Sequence, residues 1–210
     1  MKLAEIASAA AERQLGVMGV VQDDLPDGVA SLVLLGPLEP GFWPAFTASL
    51  EYLDGAPDPL DRWSHRVITG MAEALNAAPF FPFGGPPYQP FIAWAKASGR
   101  AHSSPVGLLV HDTAGLMISY RGALGFADRI DAPAPPPSPC ESCETRPCLT
   151  ACPVDAFASG SYDVAACKAD LDRPGNDCMT SGCAVRRACP VSRGHGRLEA
   201  QSAFHMRAFR

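Results

Sequence analysis

All eight cysteines of this 210-residue chain lie between Cys140 and Cys189. Thiols so concentrated are joined as disulfides or bound to metal, and the compartment decides between the two. Near the N-terminus Lys2 is a lone positive charge, and Glu5, Glu12 and Arg13 interrupt any apolar stretch, so no export signal is expected. Leu3, Ile6, Ala10 and Leu15 instead suggest one face of an amphipathic helix. The longest apolar run, Val29 to Leu38, is broken at Gly36-Pro37 and predicts a buried strand, so no membrane span is expected. A cytoplasmic, reducing setting follows as the expectation, and there structural disulfides are rare. The cysteines are therefore expected to be metal ligands.

The rest of the composition suits a folded body: 47% of residues are apolar and 19% charged. Net charge is −5, unevenly spread. From Arg186 to Arg210 six arginines face only Glu199, a surplus of five that leaves −10 on residues 1–185. An acidic body with a basic tail argues against nucleic-acid binding. The tail is either a solvated face or a counter-charge for a cofactor or partner.

Five of the seven residues from Pro133 to Pro139 are proline, which makes 132–139 a stiff linker. It separates a body, 1–131, from a cysteine-rich module, 140–210. In the body Gly16–Gln22 and Ala30–Gly36 predict strands. Asp58-Pro59 starts a helix in which Leu60, Trp63, Val67, Met71 and Leu75 form the buried face. Pro90–Ser98 predicts a second helix. Val106–His111 and Leu116–Tyr120 predict a hairpin turning at residues 112–115. The expected fold class is α+β. Between the two helices, Pro79–Phe91 interleaves prolines with five aromatic rings, as a lid on the core or as a wall for a flat ligand.

Cys140-x2-Cys143-x4-Cys148-x3-Cys152-Pro153 matches the bacterial ferredoxin run C-x2-C-x2-C-x3-C-P, apart from two extra residues after the second cysteine. A tight loop of that kind wraps three corners of a cubane, while the cysteine before proline faces a second cluster. Cys167, Cys178, Cys183 and Cys189-Pro190 end in the same signature. Exchanging the two Cys-Pro residues gives Cys140, Cys143, Cys148 and Cys189 as ligands of one [4Fe–4S] cluster. Cys152, Cys167, Cys178 and Cys183 then hold the other, and no cysteine is left over. One cluster with spare thiols, structural zinc and a redox disulfide pair are the competing readings; zinc usually shows two C-x2-C knuckles or paired histidines, and here one C-x2-C is present.

This cysteine pattern resembles the iron–sulfur part of the epoxyqueuosine reductases and, more distantly, the corrinoid-dependent reductive dehalogenases. Ser104-Pro-Val-Gly-Leu-Leu-Val-His-Asp-Thr-Ala-Gly-Leu-Met-Ile-Ser-Tyr120 is similar to the segment before the clusters in that reductase. The resemblance implies a nitroreductase-like α+β body followed by a ferredoxin-like dicluster module. It also implies an iron–sulfur oxidoreductase whose clusters pass electrons to cobalamin held by the body, and a redox partner protein that supplies them. No catalytic residue of the family falls on a matching position. The reading without chemistry of its own is a ferredoxin-type electron carrier or a cobalamin-handling protein.

Other side chains carry two readings each. His65 is a solvated or core histidine, or a site residue on a helix with Arg62 and Arg66, whose i,i+4 spacing suits either a surface pair or an anion clamp. His102 and His111 are core histidines or ligands of a corrin or metal. Tyr120-Arg121 either packs on the core or meets a ligand. Arg186-Arg187, next to Cys189, could offset cluster charge. No phosphate-binding loop or dinucleotide fingerprint is present, whereas a flavin pocket in a nitroreductase-like body leaves no short signature.

Overall fold

The computed structural model describes residues 2–158 and 160–210. The chain forms two compact units, residues 1–100 with 119–136 and residues 101–118 with 137–210. In chain order the elements begin with α1 (Leu3–Ala11), β1 (Leu15–Val21), β2 (Ser31–Pro37), α2 (Phe42–Thr47), α3 (Leu50–Leu53) and α4 (Pro59–Leu75). There follow β3 (Ala78–Phe80), α5 (Phe91–Ala97), β4 (Ala101–Ser103), β5 (Leu109–His111) and β6 (Gly122–Phe126). After a single 3-10 turn at Pro147–Leu149 come α6 (Val164–Leu171), α7 (Asp177–Ser181), α8 (Ala184–Ala188), α9 (Pro190–Gly194) and α10 (Glu199–Phe209). The fold is mixed α+β with small antiparallel sheets, and no described helix is long and apolar enough to cross a membrane.

The first unit is built on a four-stranded sheet of order β1-β2-β6-β3, antiparallel throughout. Every residue of β2 and β6 is buried, as central strands covered on both faces require. The proline-rich segment is more regular at its start than its composition suggests. Pro79 lies in β3, opposite Leu124, on an edge strand where a missing N–H is tolerated. Beyond it, Phe81 stacks on His65, Phe80 meets the edge of Trp94, and Phe91 is buried, while Tyr88 is exposed.

Helix α4 begins at Pro59 as expected, but Asp58 is left-handed (φ 52°) and makes no side-chain cap hydrogen bond among the described residues. The buried face runs through Leu60, Trp63, Ser64, Ile68 and Met71, so it passes Ile68 rather than Val67. Trp63 meets Phe42 edge-on at 5.3 Å, which ties α4 to α2.

The second unit takes in residues 101–118 as well as the cysteine-rich segment, so part of the expected body belongs to it. Its hairpin also differs from expectation. Ala101 pairs with His111, His102 with Val110 and Ser103 with Leu109, and the chain reverses at 104–108 with Gly107 at φ 76°. Residues 112–115 do form a turn, closed by His111 and Gly115 exchanging backbone hydrogen bonds of 3.0 and 2.9 Å. No second strand follows, because side chains take the place of a neighbouring strand. The Leu116 carbonyl accepts from Arg186, the Leu116 N–H donates to Ser192 Oγ (2.9 Å), and the Met117 carbonyl accepts from Arg197 (3.0 Å).

Leu124 is fully buried in the central strand β6. Leu124→Ala should lower the unfolding free energy by about 2–5 kcal/mol, read from a reduced urea midpoint.

Candidate metal centre

Val106, Val110, Leu116 and Val185 pack with Cys148 and Cys189 in one apolar cluster, and Cys140, Cys152, Cys183 and Phe157 lie at its margin. Local chain geometry delivers these thiols. Cys148 sits on the 3-10 turn that follows Arg146, which is left-handed at φ 39°. Cys189 is the residue before Pro190, the first residue of α9, so this Cys-Pro pair opens a helix. Cys152-Pro153 instead enters irregular turns. Cys167 lies within α6, whose N-cap Asp163 accepts from the Ala166 N–H at 2.9 Å. Cys178 lies in α7, capped by Asn176, and Cys183 precedes α8.

Cys140, Cys143, Cys148 and Cys189 line one cavity of about 320 Å³, with Val110, Leu116 and Ser104 also on its wall. Cys189 joins that wall; Cys152, four residues after Cys148 in the sequence, does not. Gly115 secures the approach: at φ 56° it suits glycine, and a Cβ there would stand 2.5 Å from the Ser192 nitrogen and 3.1 Å from Cys189 Sγ.

The electrostatics group the thiols in the same way. Burial, then Cys148, Cys189 and Cys143, pushes the Cys140 thiol up. Cys148 is raised by burial and by Cys189 and Cys143, against the pull of Arg146. Cys167 is raised by burial and by Cys183 and Cys152, while a hydrogen bond from Tyr162 lowers it. Cys178 is raised by burial and by Cys183; the Ala184 N–H and Arg187 oppose this. The Ala156 N–H donates to Cys152 Sγ at 3.3 Å. Cys143, Cys148 and Cys189 thus act on Cys140, while Cys183 acts on both Cys167 and Cys178 and Cys152 acts on Cys167.

Among the described residues no group of three or more His, Cys, Asp or Glu side chains is placed to hold a metal ion. A lone zinc draws its sulfurs to about 2.3 Å from one point. A cubane takes a thiolate at each of four corners, so its ligands ring a volume. The wall carrying Cys140, Cys143, Cys148 and Cys189 offers soft thiol donors in largely apolar surroundings around a partly open cavity.

The remaining candidates have structural employment. Arg62 donates to both Asp54 carboxylate oxygens at 2.8 Å and to the Glu51 carbonyl, and Arg66 pairs with the Glu51 carboxylate, which is held down at about 2. His65 is exposed and stacks on Phe81 at 4.9 Å. His111 is fully buried, and its Nδ1 is enclosed by the Thr113 and Ala114 amides and the Asp112 carboxylate. His102 Nε2 is buried with no hydrogen-bond partner among the described residues. Arg121 pairs with Asp61 at 3.5 Å, and Tyr120 lies 6.4 Å from the Phe91 ring. Arg187 bonds to the Gly182 carbonyl and to Asp177, beside Cys178. Sequence reasoning passed over Arg146 and Tyr162, and took Ser104 only as the first residue of the segment ending at Tyr120. Tyr162 carried a usable signal, being the one tyrosine between the linker and the C-terminus and five residues before Cys167.

Compared with known proteins, the chain matches no family model, no curated protein and no solved structure.

His195, in the same unit, is held down at about 4 from 6.5 by burial and by the charges of Arg197 and His111. As pH falls from about 6.5 to about 4, the unfolded chain takes up a proton there that the native state refuses, so stability falls with falling pH. The partly exposed ring tempers the effect. His195→Gln should narrow the difference in urea midpoint between about pH 7.5 and about pH 5, with the parent losing more on acidification.

Proposed function

We propose that this chain is an iron–sulfur electron-transfer protein of the kind its cysteine pattern resembles. Cys140, Cys143, Cys148 and Cys189 would hold one [4Fe–4S] cluster, and Cys152, Cys167, Cys178 and Cys183 a second. The observation that carries this reading is the cavity lined by Cys140, Cys143, Cys148 and Cys189, which draws in the distant Cys-Pro cysteine and passes over the adjacent one. When bound, such clusters accept and release single electrons without making or breaking covalent bonds in the protein.

The chain's own residues prepare for this in three ways. Val106, Val110, Leu116 and Val185 pack in one apolar cluster with Cys148 and Cys189. The fixed turn at 112–115 and the Ser192 hydroxyl hold the Leu116 backbone against the cavity wall. Arg146 and Arg187 favour the thiolate forms of Cys148 and Cys178, in keeping with a counter-charge role for basic residues near the ligands.

In the wider form of this reading the first unit binds the electron acceptor, a corrinoid or another small molecule, and the chain is a reductase. In the narrower form the acceptor is a partner protein and the chain is a ferredoxin-type carrier. Titration with cobalamin, followed by visible absorption, separates them: a perturbed corrin spectrum supports the first form and an unchanged one the second.

Paired substitutions test the ligand sets. Cys140→Ser with Cys189→Ser should retain about four iron and about four sulfide per chain, because both ligands belong to one cluster. Cys140→Ser with Cys152→Ser should lose nearly all of both, each cluster being deprived of one ligand. Equal retention by the two variants would contradict the proposed sets.

A further inference from the structure

Ser104 stands on the wall of the cavity that Cys140, Cys143, Cys148 and Cys189 line. The residue is 7% exposed, and its Oγ is buried with no hydrogen-bond partner among the described residues. The backbone around it is already satisfied. Its N–H donates to the Leu108 carbonyl at 2.9 Å, and its carbonyl accepts from the Gly107 N–H at 2.9 Å, closing the reversal between β4 and β5. Those bonds fix the residue in place without using the hydroxyl.

Other polar side chains nearby are employed or exposed. Ser192 Oγ accepts from the Leu116 N–H at 2.9 Å, and Ser138 Oγ accepts from the Cys140 N–H at 3.4 Å. Ser142, Glu144, Thr145 and Arg146, on the same wall, are exposed. A buried hydroxyl left unpaired costs about 1–3 kcal/mol, which an alanine in that position would avoid. The side chains of Pro105, Val110 and Leu116 beside it on the wall accept no hydrogen bond, whereas sulfur does.

We propose that Ser104 donates its hydroxyl hydrogen to a sulfur of the cluster held by Cys140, Cys143, Cys148 and Cys189, and so raises the reduction potential of that cluster. The inference rests on the electron-transfer reading above and adds a tuning residue to it. A donor at a cluster sulfur stabilises the added negative charge of the reduced state more than the oxidised state, so its presence moves the potential upward. Apolar neighbours strengthen such a bond by lowering the local dielectric. One electron enters from an external low-potential reductant such as dithionite, no bond in the protein breaks, and the proton stays on the Ser104 oxygen.

The test is an EPR-monitored redox titration of the full chain and of its Ser104→Ala variant, with iron and sulfide measured on both. The wave that moves should be the one missing from the Cys140→Ser, Cys189→Ser variant. It should move to lower potential by the equivalent of a several-fold change in the oxidised-to-reduced ratio, a tenfold change being ~59 mV for one electron. The other wave should stay in place. Loaded protein in which that wave is unmoved or rises, or both waves move equally, overturns the role of Ser104 and leaves the electron-transfer reading intact. Parent protein without iron and sulfide overturns both.

Ser104→Thr and Ser104→Val separate the hydroxyl from the shape of the side chain, since the two replacements differ only in that group. The threonine variant should keep the wave near its parent position and the valine variant should lower it; equal potentials overturn the proposal. Failure of both the alanine and the valine variants to load would place the hydroxyl in assembly rather than in tuning, and overturns it too.

Discussion

A thiolate buried beside other thiolates is unfavourable unless positive charge is brought to it. The second unit concentrates that cost. Cys148, Cys178 and Cys189 are buried, and Cys140, Cys148, Cys167 and Cys178 are all pushed toward the protonated form by burial and by one another. As free thiols they are small apolar side chains, compatible with the valines and leucine around them. As ligands they need a cationic core, and metal binding would then contribute to folding as well as to function. The hairpin of β4 and β5, the turn at 112–115 and α9 matter because they bring Val110, Gly115 and Cys189 to one place.

The first unit solves a different problem, and several of its charged side chains are committed to that solution. Its central strands are buried on both faces, and the arginines that looked suited to anion binding instead hold the α3–α4 connection. Arg62 spans the loop to Asp54, and Arg66 reaches Glu51. Arg121 and Asp61 form the corresponding tie between β6 and α4, since Arg121 immediately precedes β6.

Much of this was legible in the chain itself. The apolar runs at β1 and β2 and the Asp58-Pro59 helix start gave the right elements within a residue or two. The exchange of Cys152 and Cys189 between groups could be argued from the repeated Cys-Pro signature; of the two, Cys189 lines the cavity and Cys152 does not. The hairpin could not be placed correctly, because residues 116–117 are satisfied by Arg186, Ser192 and Arg197, about 70 to 80 positions away. Local composition carries no trace of such partners. Asp58 illustrates the opposite failure: a residue suited to capping sits in a left-handed conformation that takes its side chain out of the role.

The central claim is that eight thiols serve two iron–sulfur clusters, and metal and acid-labile sulfide analysis of anaerobically purified full-length protein tests it most directly. The account predicts about eight iron and about eight sulfide per chain, with the broad visible absorption of sulfur-to-iron charge transfer. Zinc bound without sulfide, or a chain that folds with neither iron nor sulfide, would contradict it.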